Sequence, residues 1–422
     1  MPFLKKNAAV LAIALALILI LAIGLPTYTS KENGTFYLKD LSGSREALNG
    51  VTITGELSDG YQRTSFSLRD GKLDAETQLK PSPLRETEFT YTTGSKVIPD
   101  RFYGVNVNGR QFEIMSYVRE EDHDTFTPKG KAVVNPPLIH ASDKPNGYPS
   151  RLDYGVAAAG DRVYFTVPVP SNVSGKGIIY ELNFNDWWSQ MDQANPRPAR
   201  IVVQYGLQTE GKSETHGIEV IGLESVGNKL ILLTAENDSL RLRSYDSESG
   251  APLGEARLPD FRLSSDVANT DAYGYDYQSS SEEDKGRLYL NFKGISGTKS
   301  ILLSVNLTDG VKIENAGRID LEDSATAASR SFASMRERNG KLYVFKSLQE
   351  PRNEETPQPL LDIALPVRAY LLVFERSSLI YQGELITDIN DDRIEAINWP
   401  TQDPSFGYSD IGFRTFKKIK IE

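Results

Sequence analysis

The sequence predicts an all-β fold, a β-propeller of about seven antiparallel blades, preceded by a single N-terminal transmembrane helix. Three observations carry this reading. One uninterrupted apolar run lies near the N-terminus and no second run of that length follows. Beyond it come short Val-, Ile-, Leu-, Tyr- and Phe-rich runs separated by Gly, Asn, Asp and Pro. Four of these runs repeat one local plan. Of 422 residues, 39% are apolar and 25% charged, enough apolar material for a packed core and too much for a disordered chain.

The apolar run extends from Ala8 to Leu25 behind Lys5 and Lys6, with no polar side chain in it. As a helix it would measure roughly 27 Å, close to the hydrocarbon thickness of a bilayer. Pro26 ends it, and the paired lysines predict a cytoplasmic N-terminus with the remainder outside. A retained signal-anchor is the preferred reading, because the run exceeds the usual length of a signal-peptide core. The alternative is secretion after cleavage near Gly24, where Ala22-Ile23-Gly24 offers a small-x-small site. The expected division is therefore 1–30, cytoplasmic stub and anchor, and 31–422, extracytoplasmic domain. Within the latter, 31–150 is less regular and reads as the first blades or as a separate β module.

In the 31–150 stretch, Gly50–Leu57 and Tyr61–Leu68 flank the turn Ser58-Asp-Gly60, and Tyr103–Val107 and Gln111–Val118 flank Asn108-Gly109, a strong hairpin signal. The repeated plan then starts. It reads Gly160-Asp-Arg-Val-Tyr-Phe165, Gly227-Asn-Lys-Leu-Ile-Leu232, Lys285-Gly-Arg-Leu-Tyr-Leu290 and Asn339-Gly-Lys-Leu-Tyr-Val344. Second strands are expected at Gly177–Phe184, Ser239–Tyr245, Ser300–Leu307 and Arg368–Glu375, and third strands at Pro252–Leu258, Val311–Ile319 and Leu379–Ile386. A period of about 55 residues divided into the exported chain gives the blade number. The turn Asp246-Ser-Glu-Ser-Gly250 resembles the Asp-x-x-Ser/Thr-Gly turns of membrane-anchored bacterial extracytoplasmic β-propellers, a likeness of architecture that brings no functional residues with it. Because an unpaired sheet edge invites aggregation, Thr35–Leu41 and Phe413–Glu422 are expected to share one blade.

Composition excludes several chemistries. There is no cysteine, so disulfides, thiolate nucleophiles and thiolate metal sites are absent. Formal net charge is -10, which argues against nucleic acid as a partner. His123, His140 and His216 show no metal-ligand spacing. No nucleophile elbow, phosphate loop or dinucleotide fingerprint is present.

Three candidate binding elements remain. Ser264–Lys285 reads as a polar loop in which Tyr273, Tyr275 and Tyr277 alternate with Asp271 and Asp276, offering rings and carboxylates to a ligand, against the plainer reading of a solvated insertion. Trp187 and Trp188 follow Asn185-Asp186; adjacent residues of a strand face opposite ways, so one of them is expected outside. Asp388, Asn390 and Asp392 occupy positions 1, 3 and 5 of a calcium-type loop, but Arg393 and Trp399 stand where such a loop needs Gly and Glu. No cofactor is expected, Ca²⁺ being the one such a loop offers.

The function expected is a membrane-tethered extracytoplasmic binding, scaffolding or sensing module without catalytic activity, its partners the bilayer through residues 8–25 and a membrane or cell-wall component. Two alternatives are a carboxylate-based polysaccharide hydrolase or lyase working in the propeller channel, and a calcium or small-solute binding protein. Buried carboxylates gathered within about 5–10 Å of each other would favour the enzyme.

Overall fold

The computed structural model describes residues 36–58, 62–79, 92–94, 96–97, 101–120, 123–140, 151–189, 197–208, 217–266, 271–295, 299–320, 332–349, 367–387 and 415–422. The apolar run 8–25, His216 and the Asp388–Asp392 loop lie outside these residues, as do the side chains of His123 and His140. No helix among the described residues is long and apolar enough to cross a membrane. They are antiparallel strand with three short 3-10 turns, arranged as six sheets of four or five strands and one two-stranded ladder. The chain divides into two compact units, 1–86 with 345–372 and 380–422, and 87–344 with 373–379.

In the larger unit the repeated plan is realised as expected. Strands Glu219–Val226, Lys229–Ala235, Ser239–Asp246 and Pro252–Pro259 form one meander, and Tyr273–Glu282, Arg287–Gly294, Lys299–Asn306 and Lys312–Asp320 form the next. Each repeated segment spans the turn between two consecutive strands of its sheet, the first of which lies at the edge of the strand order. Gly160, Gly227, Gly286 and the pair Asn339-Gly340 all have positive φ there, which is why the turns read so clearly in the sequence. At the other end of the second hairpin, the Asp246 carboxylate accepts hydrogen bonds from the Glu248 and Ser249 amides (3.2 and 2.8 Å) and the Ser249 hydroxyl (2.7 Å). Those donors, the Ser249 amide first, hold it below an ordinary aspartate. Gly250 has φ 72°, and a Cβ there would sit 2.1 Å from the Val202 carbonyl oxygen.

Burial shows how the sheets pack. Leu230, Ile231, Leu232 and Leu233 are consecutive and all fully buried. Leu230 and Leu232 join a core with Tyr164, Phe165 and Ile179, while Ile231 and Leu233 join another with Leu288, Leu290 and Leu303. A strand whose two faces feed two different cores belongs to a sheet covered on both sides, so its apolar run is continuous rather than alternating. The outer strand Pro252–Pro259 is mostly exposed. First strands lie beside one another: Val156–Ala159 beside Glu219–Val226, that beside Tyr273–Glu282, and that beside Phe332–Arg338.

Among the described residues there are six sheets of four or five strands; the 101–134 sheet recruits the distant strand Asn185–Asp186, and the sheet of Val156–Gly206 recruits Leu138–His140. One expectation needs correction: the two end strands do not share a sheet. In the smaller unit Phe36–Gly43 pairs with Ser378–Thr387, and Thr415–Ile421 pairs with Thr52–Ser58, Ile53 opposite Ile421. What they share is an aromatic cluster: Phe66 lies 5.5 Å from Phe36 and 6.1 Å from Phe416, and Phe345 5.2 Å from Phe416. The two hairpins expected before residue 150 are present; Asn108 pairs with Gln111, so the connecting residues are Gly109 and Arg110.

Candidate functional site

The rim formed where strands of the 219–259 and 273–320 sheets begin and end carries a polar cleft. Its volume is about 520 Å³. Asp238 comes from the turn after Lys229–Ala235, Asp260 and Arg262 follow Pro252–Pro259, Asp271 and Tyr273 open the next sheet, and Lys299, Arg318 and Asp320 stand at its strand ends. Asp238 and Asp260 hold left-handed backbone conformations (φ 54° and 56°), which Asp tolerates better than most residues and which turn the chain sharply at the rim.

The floor is aromatic. Tyr273 stacks on Phe261 at 5.1 Å and 6°, and Phe261 meets Phe292 edge-on at 5.0 Å. The Tyr273 amide donates to the Arg262 carbonyl (2.8 Å) and its carbonyl accepts from Ser264 (3.0 Å), fixing the ring. Burial raises the Tyr273 phenol above its ordinary value against the pull of Arg318 and Lys299, so it stays protonated. Above this floor the charges are paired across exposed space: Arg262 with Asp238 at 2.9 Å and Lys299 with Asp271 at 2.8 Å. The Lys299 ammonium holds the Asp271 carboxyl below an ordinary aspartate. Arg318 donates to the Pro259 and Asp260 carbonyls (3.0 and 3.3 Å) and faces no carboxylate within salt-bridge distance among the described residues.

The sequence candidates therefore separate. Tyr273 and Asp271 belong to this cleft. Tyr277 does not: it is buried, and its hydroxyl donates to Glu224 at 2.7 Å. Tyr275 is half-buried and hydrogen-bonds Glu219; burial and that carboxylate push its phenol far up. Asp276 is exposed and pairs with Arg151 at 3.5 Å. The expected polar loop is thus corrected, since from Tyr273 onward it is a first strand, packed between neighbouring sheets, with an irregularity between Tyr273 and Tyr277. Trp187 and Trp188 sit on a turn after the short strand Asn185–Asp186. Trp187 is half-buried, whereas Trp188 is 70% exposed. Arg262, Lys299 and Arg318 escaped sequence reading because single cations at strand ends look like any solvated surface.

A second polar assembly lies among the first strands. Lys96, 14% exposed, donates to the carbonyls of Val156 (2.7 Å) and Leu223 (2.5 Å) and lies 3.6 Å from the Glu224 carboxylate. Glu224, only 2% exposed, also accepts from Tyr277 and from Ser279 (2.8 Å). The other buried acids are matched in the same way. Glu236 faces Arg241 and Arg243 at 3.2 and 2.7 Å, and Glu337 shares Arg287 with Glu314 at 2.6 and 2.7 Å.

No family model matches the chain, and no curated protein sequence does. Among solved structures, a DUF4221-family member from Bacteroides vulgatus aligns over 89% of this chain and 99% of its own, at 12% identity and a TM-score of 0.25. A bifunctional GH43-CE protein of Bacteroides eggerthii aligns over 55% of this chain at 14% identity and a TM-score of 0.24. This chain spans 27% of that protein's length. Likeness at this level assigns neither activity nor ligand.

Proposed function

We propose that the chain is a non-catalytic binding module whose four- and five-stranded sheets are blades of a propeller, tethered outside the membrane by residues 8–25, and that the Tyr273 cleft receives a charged polypeptide segment of an envelope partner. The doubly covered sheets and the side-by-side first strands support the blade reading. The observation that carries the binding reading is the cleft itself: exposed, exchangeable ion pairs, and the Arg318 guanidinium held by two backbone carbonyls with no described carboxylate against it, above an aromatic floor. Exposed pairs of this kind contribute little to folding but select the charge pattern of a partner. Tethering would raise the effective concentration of the cleft for membrane neighbours.

The catalytic alternative has one observation to answer. Glu314 and Glu337 do converge, but on a single guanidinium, with Ser304 and Asn315 also donating to Glu337. Carboxylates saturated in this way are poor proton carriers.

The test is site-specific photo-crosslinking in membranes of the full-length protein, with the photoreactive residue replacing exposed Asp320. A discrete crosslinked polypeptide is expected, lost on Arg318→Glu and absent when the probe replaces exposed Lys72. A lack of crosslinks above the Lys72 control, or crosslinks indifferent to Arg318→Glu, overturns the assignment.

A further inference from the structure

A second cleft, of about 560 Å³, opens within the larger unit between the 101–134 sheet and the sheet of Val156–Gly206. Its charges are unevenly committed. Arg101, Lys129, Arg162 and Arg197 line it against Asp161, Glu181 and Asp186. Glu181 is already taken by Arg162 and Arg200. The Asp186 carboxylate accepts the Trp188 amide at 3.0 Å. Arg101 and Lys129 have no carboxylate partner among the described residues, and both are exposed. The lining thus carries four cations against three carboxylates, and two of those cations stand outside any ion pair with a described carboxylate, on a chain whose net charge is -10.

The walls are aromatic and amide-bearing. Buried Tyr103 lies 6.0 Å from Phe184, and Asn183 and Asn185 line the same cleft. Gly130 lets the Asn185–Asp186 strand close over it; a Cβ there would meet Phe184 at 3.0 Å and the Asn185 carbonyl at 3.1 Å. Trp188 stands two residues beyond Asp186, the most exposed large apolar side chain among the described residues. An indole left in water two residues along the chain from a lining aspartate is a contact surface for a ring.

We propose that this cleft binds an acidic saccharide, a chain bearing uronic-acid carboxylates, distinct from the polypeptide assigned to the Tyr273 cleft. Arg101 and Lys129 take the carboxylates, the guanidinium in the two-point geometry that suits them. The Asn183 side-chain carbonyl takes a ring hydroxyl, its amide nitrogen being held by the Pro198 carbonyl at 2.6 Å, and Trp188 covers the apolar face of a sugar ring. A neutral saccharide leaves the two cations unused; a bare phosphate leaves the indole unused.

The experiment titrates the full-length protein in detergent with a galacturonic-acid oligomer, a galactose oligomer of equal length and inorganic phosphate, read by calorimetry and tryptophan fluorescence. The galacturonic-acid oligomer is expected to bind, change the fluorescence, and weaken with added salt. Arg101→Ala and Lys129→Ala should each weaken it about tenfold without altering the melting temperature of the free protein. Trp188→Phe should remove most of the fluorescence change while retaining binding. Absence of binding, equal binding of the galactose oligomer, phosphate binding as tight as the oligomer, or affinity unchanged by both cation variants overturns the proposal.

Discussion

Lys96→Met tests whether the first strands are locked together by a buried charge. The substitution keeps an unbranched side chain of similar length but removes the ammonium that serves the Val156 and Leu223 carbonyls and the Glu224 carboxylate. Glu224 would keep its bonds from Tyr277 and Ser279 yet lose the ammonium 3.6 Å from its carboxylate. Removing one member of a buried ion pair costs about 3–5 kcal/mol, most of it the burden of the charge left behind. At ~2–4 °C per kcal/mol for a body of this size class, the melting temperature should fall by roughly 6–20 °C. The double variant Lys96→Met/Glu224→Gln removes that stranded charge and should recover more than half of the loss. Differential scanning calorimetry of wild type, both single variants and the double variant completes the cycle. A Lys96→Met shift below ~2 °C, or a double variant as unstable as the sum of the singles, would refute the coupling.

Other outcomes are equally specific. Tyr277→Phe removes a donor to Glu224 and should cost about 1–3 kcal/mol in chemical denaturation. Gly250→Ala must push against the Val202 carbonyl and should destabilise clearly more than Gly109→Ala, which meets open space and carries only the ~1–2 kcal/mol of a left-handed backbone. Burial alone would raise the Glu282 carboxyl, but Tyr289, Lys285 and Arg338 outweigh it and hold it below its ordinary 4.5. A depressed carboxylate contributes stability that is complete above about pH 4.5 and lost as pH falls through the folded-state value. Thermal melts of wild type and Glu282→Gln should therefore differ at pH 7 and converge toward pH 3. Deleting 415–422 bares the Thr52–Ser58 edge and the Phe66 and Phe345 rings, and should yield an aggregating protein by light scattering.

Local signals were the readable part of the sequence. Gly227 and Gly286 announce turns because positive φ is a property of one residue, and third strands expected at Pro252–Leu258 and Val311–Ile319 are found at Pro252–Pro259 and Lys312–Asp320. The strand Tyr273–Glu282 was unreadable for the opposite reason: Gly274 and Asp276 are loop-like residues, held extended by pairing with Arg287–Gly294 and by burial of Tyr277. The partners of the end strands depended on an aromatic cluster drawn from residues hundreds of positions apart. Both clefts collect charges from several strand ends, and nothing in one strand marks its charge as belonging to a site.

The pairing of Thr415–Ile421 with Thr52–Ser58 also bears on biogenesis. As the polypeptide emerges from the ribosome or a translocation pore, the strand Thr52–Ser58 waits with one flank bare until Ile421 has been made. Assembly of that sheet is therefore a late event, slow because it closes so large a loop. Throughout that interval the nascent chain is a natural client for holdase chaperones, and a stalled or truncated translation product would display a sticky edge that degradation machinery can recognise.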